Sequence, residues 1–125
     1  MKIRYLRLIT SLKNLNVEIV SQGHDWHIQL GQSGRVFEAG KTYKIEVIAS
    51  ALASTDIKVE VTQDGGGTAV TEITKQTVTL TSSVQTYTIE FTPTENVSNG
   101  KVALLLGEAE TTTITVESII VTIVE

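Results

Sequence analysis

Apolar and polar residues alternate one by one through most of this sequence. In Tyr43-Lys44-Ile45-Glu46-Val47 every second residue is apolar and the others are charged. The same phase runs through Leu15-Asn16-Val17-Glu18-Ile19, Ile57-Lys58-Val59-Glu60-Val61 and Tyr87-Thr88-Ile89-Glu90-Phe91. A period of two puts one set of side chains on one face of an extended strand, so these segments read as strands with one dry and one wet face. Val, Ile and Thr dominate them, and their branched Cβ suits a pleated surface better than a helix. No stretch of helical period is long enough to matter. Ala49 to Ser54 could form at most a helical turn, or equally a loop.

Turn-forming residues separate the strands. Gln22-Gly23-His24-Asp25, Gly31-Gln32-Ser33-Gly34, Ala39-Gly40-Lys41, Asp64-Gly65-Gly66-Gly67 and Asn99-Gly100 all read as turns, and Pro93 is expected to stop the strand before it. Near the C-terminus the alternation slips: Ile114 and Val116 share one phase, Ile119, Val121 and Ile123 the other. An uncorrected slip would turn half the strand inside out, so a β-bulge is predicted at Glu117-Ser118. Many short antiparallel strands without helices imply an all-β, two-sheet β-sandwich or jelly roll. Residues 1–125 are expected to form one domain. Its core should hold Val17, Ile19, Ile28, Tyr43, Ile45, Val47, Val59, Val61, Ile89, Phe91, Leu104, Leu106, Ile114, Val116 and Val121.

Composition removes several kinds of chemistry. There is no cysteine, which excludes disulfides, thiolate catalysis and cysteine-ligated metal centres. Ten Lys and Arg against fourteen Asp and Glu give a net charge of −4, against the clustered positive charge that a nucleic-acid binder needs. The opening MKIRYLRLIT interleaves charge with short apolar pairs, so neither a signal peptide nor a membrane span is expected in this chain.

No catalytic arrangement stands out. Glu46, Glu60, Glu72 and Glu90 supply the carboxylates a glycosidase would pair, but they alternate with core residues and read as a solvated sheet face. Asp64-Gly65-Gly66-Gly67 lacks the lysine and helix of a phosphate cradle and reads as a hairpin loop. In His24-Asp25-Trp26-His27, two imidazoles and a carboxylate stand close in sequence, yet residues three apart on a strand face opposite ways. Trp26 is the sole tryptophan. Alternation groups it with Ile28 and Leu30 in the core, whereas Gly23 and Asp25 just before it place it at a sheet rim, and both placements remain open.

Taken together, these segments resemble a known family. Trp26-His27-Ile28-Gln29-Leu30 followed by Phe37-Glu38-Ala39-Gly40-Lys41-Thr42-Tyr43 is similar to the "W-x-I-Q-L … L-x-A-G-K-T-Y" stretch of carbohydrate-binding modules of the family 4, 9, 16 and 22 group. Thr79 to Phe91 resembles the "L-T-x-x-W-Q-x-Y-x-x-x-F" piece. Leu104-Leu105-Leu106-Gly107 with Ile114 to Ile119 resembles "F-x-L-G … V-x-I-D-N-V". The resemblance covers about residues 15 to 125, in order. It implies a jelly roll whose concave sheet binds a β-linked polysaccharide of the xylan or β-glucan type without cleaving it. It also implies a secreted natural parent in which the module is fused to a glycoside hydrolase. Trp26 is implied as the stacking platform and Gln29 as a hydroxyl partner, with Glu72 and Lys101 lining the groove and Leu105 on its floor strand.

The departures from the family bear on function as well. No ring stands at Gly67 to Glu72, where the group tends to supply a second aromatic, and Val84 replaces a tryptophan, where it could fill core space. The structural calcium of the group draws on an acidic opening segment and an aspartate; the opening here differs and the aspartate is Glu117, so no cofactor is expected and Glu117 is only a weak calcium candidate. The regular alternation and short first-strand region support a second reading, an engineered or shortened jelly-roll scaffold with no selected ligand. A third is a generic adhesion or protein-interaction module.

Overall fold

A computed structural model describes residues 3–9, 15–19, 23, 28–64 and 70–124. The described residues form nine strands: β1 (Ile3–Ile9), β2 (Leu15–Glu18), β3 (Gln29–Phe37), β4 (Thr42–Ala51), β5 (Thr55–Asp64), β6 (Val70–Leu80), β7 (Gln85–Phe91), β8 (Val97–Leu105) and β9 (Thr113–Val124). No helix occurs among the described residues. One sheet runs β1-β9-β4-β7, with β2 also paired to β9, and the other runs β3-β8-β5-β6. Every pairing is antiparallel. The all-β sandwich of jelly-roll type read from the alternation is therefore the fold.

The core lies between the sheets and follows the predicted phase. Tyr43, Ile45 and Val47 of β4, Val59 and Val61 of β5, Ile89 and Phe91 of β7, Leu104 of β8, and Ile114, Val116 and Val121 of β9 are buried, as are Ile19 and Leu106 just beyond their strands. Val17 and Ile28 pack against this cluster while half-buried. Each such side chain removed from water contributes about 1.5–3 kcal/mol, which is why alternation dictates the layering. At one end Phe37, Tyr43 and Phe91 form an aromatic cluster with ring centroids 4.8 to 5.4 Å apart. The buried Tyr43 hydroxyl accepts a hydrogen bond from the Glu38 amide at 2.8 Å, so its polar tip is satisfied.

The predicted bulge is present. Along the β4–β9 ladder Ile48 opposes Ser118 and Ala49 opposes Val116, which leaves Glu117 as the extra residue. Both apolar phases of β9 thus reach one core. Ala39-Gly40 turns as expected, with Gly40 at φ 77°, and β7 ends before Pro93.

Four other expectations need correction. Gly31 to Gly34 is no turn between strands: it lies inside β3, where the ladder to β8 shifts register and Gly34 takes a φ of 77°. Asn99-Gly100 lies inside β8, and there glycine answers to close packing, because a Cβ on Gly100 would stand 2.7 Å from the Phe37 ring. Ala49 to Ala51 completes β4, so only the following residues bend. Val84 fills no core space; it is 55% exposed in the β6–β7 connection. The Asp64 to Gly67 hairpin expectation fits the antiparallel β5–β6 pair, although the connecting residues lie outside those described. So do His24, Asp25, Trp26 and His27.

Candidate functional site

The outward face of the four-stranded sheet carries the residues of interest. The registers align Gln29, Leu105, Lys58 and Thr77 in one row across β3, β8, β5 and β6. The next row is Gly31, Ala103, Glu60 and Lys75, and the third brings Lys101, Thr62 and Glu72 side by side on β8, β5 and β6. With strands about 4.8 Å apart and rows about 6.7 Å apart, this is a patch of roughly 14 by 13 Å. Its middle is apolar and covered: Ala103 and Leu105 point away from the core cluster yet are only 1% and 3% exposed, because the surrounding side chains lie over them.

Polar groups stand around that floor and hold one another in place. Lys58 Nζ donates to Glu108 Oε2 at 3.2 Å, and Lys75 Nζ lies 3.8 Å from Glu60 Oε2 on the neighbouring strand. Lys101 Nζ donates to Gln29 Oε1 at 2.7 Å. Exposed pairs of this kind add at most about 1 kcal/mol to stability. What they do here is fix where the donors and acceptors sit. At one end Asp56 accepts a hydrogen bond from the Thr79 hydroxyl at 2.6 Å. Asp56, Lys58, Thr77, Leu105 and Glu108 surround a recess of about 190 Å³ there. A recess of about 210 Å³ beside Glu72 is lined by Gln63, Ile73, Pro93 and Glu95. Both are smaller than the roughly 300–1,000 Å³ of a pocket that engulfs a small molecule. The patch suits an extended partner laid along it.

Backbone bonds position the flank of this face. Gly23 N donates to Gly107 O at 2.7 Å, and Leu106 N donates to Ile28 O at 2.8 Å. Gly23 and Ile28 are thereby both tied to the residues that follow β8, with Ile28 directly preceding Gln29 in the chain. Glu110 N donates to the Thr55 hydroxyl at 2.8 Å, which brings the β8–β9 connection and Glu108 over Lys58.

Of the residues singled out from sequence, Gln29 and Lys101 are joined directly, and Glu72 stands on the same face two strands from Lys101. Trp26 lies outside the described residues. Lys58, Glu108 and Gly31 were missed. The outward phase of Lys58 is readable from Ile57-Lys58-Val59, but its partner lies 50 residues away. The four strand glutamates do not converge. Glu60 and Glu72 belong to the four-stranded sheet, whereas Glu46 and Glu90 lie on strands of the other.

The structure also bears on calcium. Among the described residues no group of three acidic or imidazole side chains converges as a metal site, and Glu117 at the β9 bulge has no such companions. Among the described residues Glu117 is a single carboxylate, fewer donors than a structural calcium takes. The melting temperature should accordingly be the same with calcium and with excess chelator. A fall of several degrees on chelation would refute this.

The described residues thus form a helix-free sandwich with a polar outward face on its four-stranded sheet. Sequence comparison makes the class specific. The carbohydrate binding domain family CBM_4_9 matches residues 10–113, and the chain belongs to that family. Among solved structures, a CBM4 module is 29% identical, with a TM-score of 0.80 over 98% of this chain and 78% of that one. The second N-terminal cellulose-binding domain of Cellulomonas fimi β-1,4-glucanase C is 21% identical, with a TM-score of 0.70 over 96% and 84%. The first carbohydrate-binding module of BiXyn10A shares the fold at 18% identity, with a TM-score of 0.68 over 87% and 72%. No curated protein matches the sequence.

Proposed function

We propose that this chain is a single non-catalytic module that holds a β-linked polysaccharide of the xylan or β-glucan type along the outward face of the four-stranded sheet. One observation carries the reading: Gln29, Lys58, Glu60, Lys75 and Lys101 stand together on one outward sheet face, over a buried apolar layer of Ala103 and Leu105. A sugar ring carries a rim of hydroxyls, which fixed donors and acceptors on such a face can bind, and apolar C–H faces, which call for a stacking ring beside them. Trp26, three residues before Gln29 in the sequence, is the ring proposed to stack on the sugar. Glu72 extends the polar rim. Of the carboxylates at the recess, Asp56 accepts from the Thr79 hydroxyl and Glu108 from Lys58; the non-catalytic reading rests on the carbohydrate-binding family itself. In its natural setting such a module would be exported and joined to a polysaccharide hydrolase, as the Cellulomonas fimi domain is joined to a glucanase.

Affinity electrophoresis in gels containing soluble xylan or mixed-linkage β-glucan tests this. At least one glycan should retard the protein, and Trp26→Ala should weaken binding more than tenfold while the circular dichroism spectrum stays that of a β-protein. Chromogenic glycosides should not turn over. A folded protein that no β-glycan retards would overturn the proposal and favour the scaffold reading, a choice the lack of any described aromatic ring on this face makes worth testing.

A further inference from the structure

We infer that Lys101 makes this face selective for β-glycans that carry carboxylate-bearing sugars, the uronate-substituted class, over their neutral counterparts. The inference rests on the glycan-binding reading above and names the ligand class for the same face. Lys58 and Lys75 each have a carboxylate within 4 Å, Glu108 and Glu60 respectively. The Lys101 ammonium is held by the neutral Gln29 amide, and among the described residues no carboxylate lies within salt-bridge distance of it. An ammonium has three donors, so two remain for a ligand after Gln29 has taken one.

Its path across the sheet is also built. Lys101 runs along the face toward β3 over Gly31, and a Cβ on Gly31 would meet Lys101 Cε at 3.1 Å and Ala103 Cβ at 3.0 Å. The missing side chain at Gly31 is what lets the lysine lie flat and reach Gln29. The cation is thereby parked over the apolar floor, half-buried, where water screens it less than at a free surface. A polymer lying on that floor brings its substituents to the two free donors, and a carboxylate satisfies both the hydrogen bonds and the charge.

The net charge of −4 sharpens the test, because the long-range field of the protein repels an acidic polymer and any preference for one must come from local contact. Affinity for glucuronate-substituted xylan should be measured against the same xylan after chemical reduction of its carboxyl groups. At low ionic strength the acidic form should bind about three- to fivefold more tightly, the range an ordinary surface ion pair supplies, and the ratio should shrink toward one in 0.5 M salt. Lys101→Met should bring the ratio to one, Lys101→Arg should preserve it, and Lys41→Met, the same loss of charge in the β3–β4 turn away from this face, should leave it unchanged. Equal or weaker binding of the acidic form while the reduced form still binds would overturn the inference alone. Binding of neither form by the folded protein would overturn the glycan-binding reading and this inference with it. The wild-type salt series decides the matter even if a Lys101 variant fails to fold.

Discussion

Deleting Glu117 should leave the protein folded, with a loss no greater than about 2 kcal/mol, whereas deleting Ile120 three residues later should cost at least about 3 kcal/mol. Glu117 is the residue without a counterpart in the β4–β9 ladder, where Ser118 opposes Ile48 and Val116 opposes Ala49. Removing it brings Ser118 next to Val116 and makes the ladder regular. Ile114 and Val116 then keep the phase of Ile119, Val121 and Ile123, and every buried side chain of the strand stays inside. Deleting Ile120 has no such benign outcome. If the downstream half slips, Val121 and Ile123 leave the core and Thr122 turns into it. If instead the bulge closes to absorb the loss, Ser118 takes the place of Ile119, which is 2% exposed. That cheaper escape still loses a buried isoleucine, about 2–5 kcal/mol, and dries a hydroxyl at a further 1–3 kcal/mol. Against a total stability of about 5–15 kcal/mol the second deletion leaves little or nothing. Urea titration followed by circular dichroism measures both. Equal destabilisation by the two deletions would mean that the bulge is not what reconciles the two phases.

The bulge was readable from the sequence because it is a local contradiction between two halves of one strand. The phase of β4, β5 and β7 was readable for the same reason: Tyr43-Lys44-Ile45, Ile57-Lys58-Val59 and Tyr87-Thr88-Ile89 each declare which side is dry without reference to any other segment. Partnership between strands is a different kind of information. Glu46 and Glu60 stand in nearly identical surroundings, Ile-Glu-Val and Val-Glu-Val, yet they end on different sheets. Local patterning cannot separate them, because what assigns them is pairing with β9 in one case and β8 in the other, more than 40 residues along the chain.

The same limit governs the site. Gln29 and Lys101 were singled out through family resemblance, but their direct bond spans 72 positions and depends on a third residue, Gly31, whose part is to have no side chain. Read locally, Gly31 and Gly34 mean a turn, and so does Asn99-Gly100. Glycine signals backbone freedom or close approach without saying which, and here Gly34 uses the first while Gly31 and Gly100 use the second. Val84 fails for another reason: alignment to a family tryptophan said where it stands in the chain, not that the β6–β7 connection carries it into solvent. Lys58 and Glu108 could be found only once β5 and the β8–β9 connection were neighbours.

Phe37→Ala should cost about 3–5 kcal/mol and Gly100→Ala about 1–3 kcal/mol, and the two should be strongly non-additive. Phe37 is 1% exposed and is gripped edge-on by Tyr43 and Phe91, so truncation leaves a hole that the flanking rings, themselves fixed in the aromatic cluster, do not close. Gly100 sits opposite that ring, where an added Cβ would come within 2.7 Å of Phe37 Cε2, 3.0 Å of Phe37 Cδ2 and 3.0 Å of Val97 Cγ1. Real contacts do not go so close, and a ring wedged between two others cannot rotate away as an exposed side chain would. Alanine gains roughly 0.5–1 kcal/mol over glycine in a strand through lower backbone entropy, which is smaller than the overlap it creates. The sign is therefore destabilising. Once Phe37 is alanine the ring overlap is gone, and the methyl at position 100 enters the hole it would otherwise collide with, the 3.0 Å contact to Val97 Cγ1 being the one that remains. The double variant should be no less stable than Phe37→Ala alone, and more stable by up to about 1 kcal/mol. That gives a coupling energy of about 1–4 kcal/mol in a double-mutant cycle. Thermal unfolding reads this directly, at about 4 °C per kcal/mol for a domain of this size. Simple additivity of the two losses would show that the glycine is not reserved for the ring, and that β8 needs it for some property of its own backbone instead.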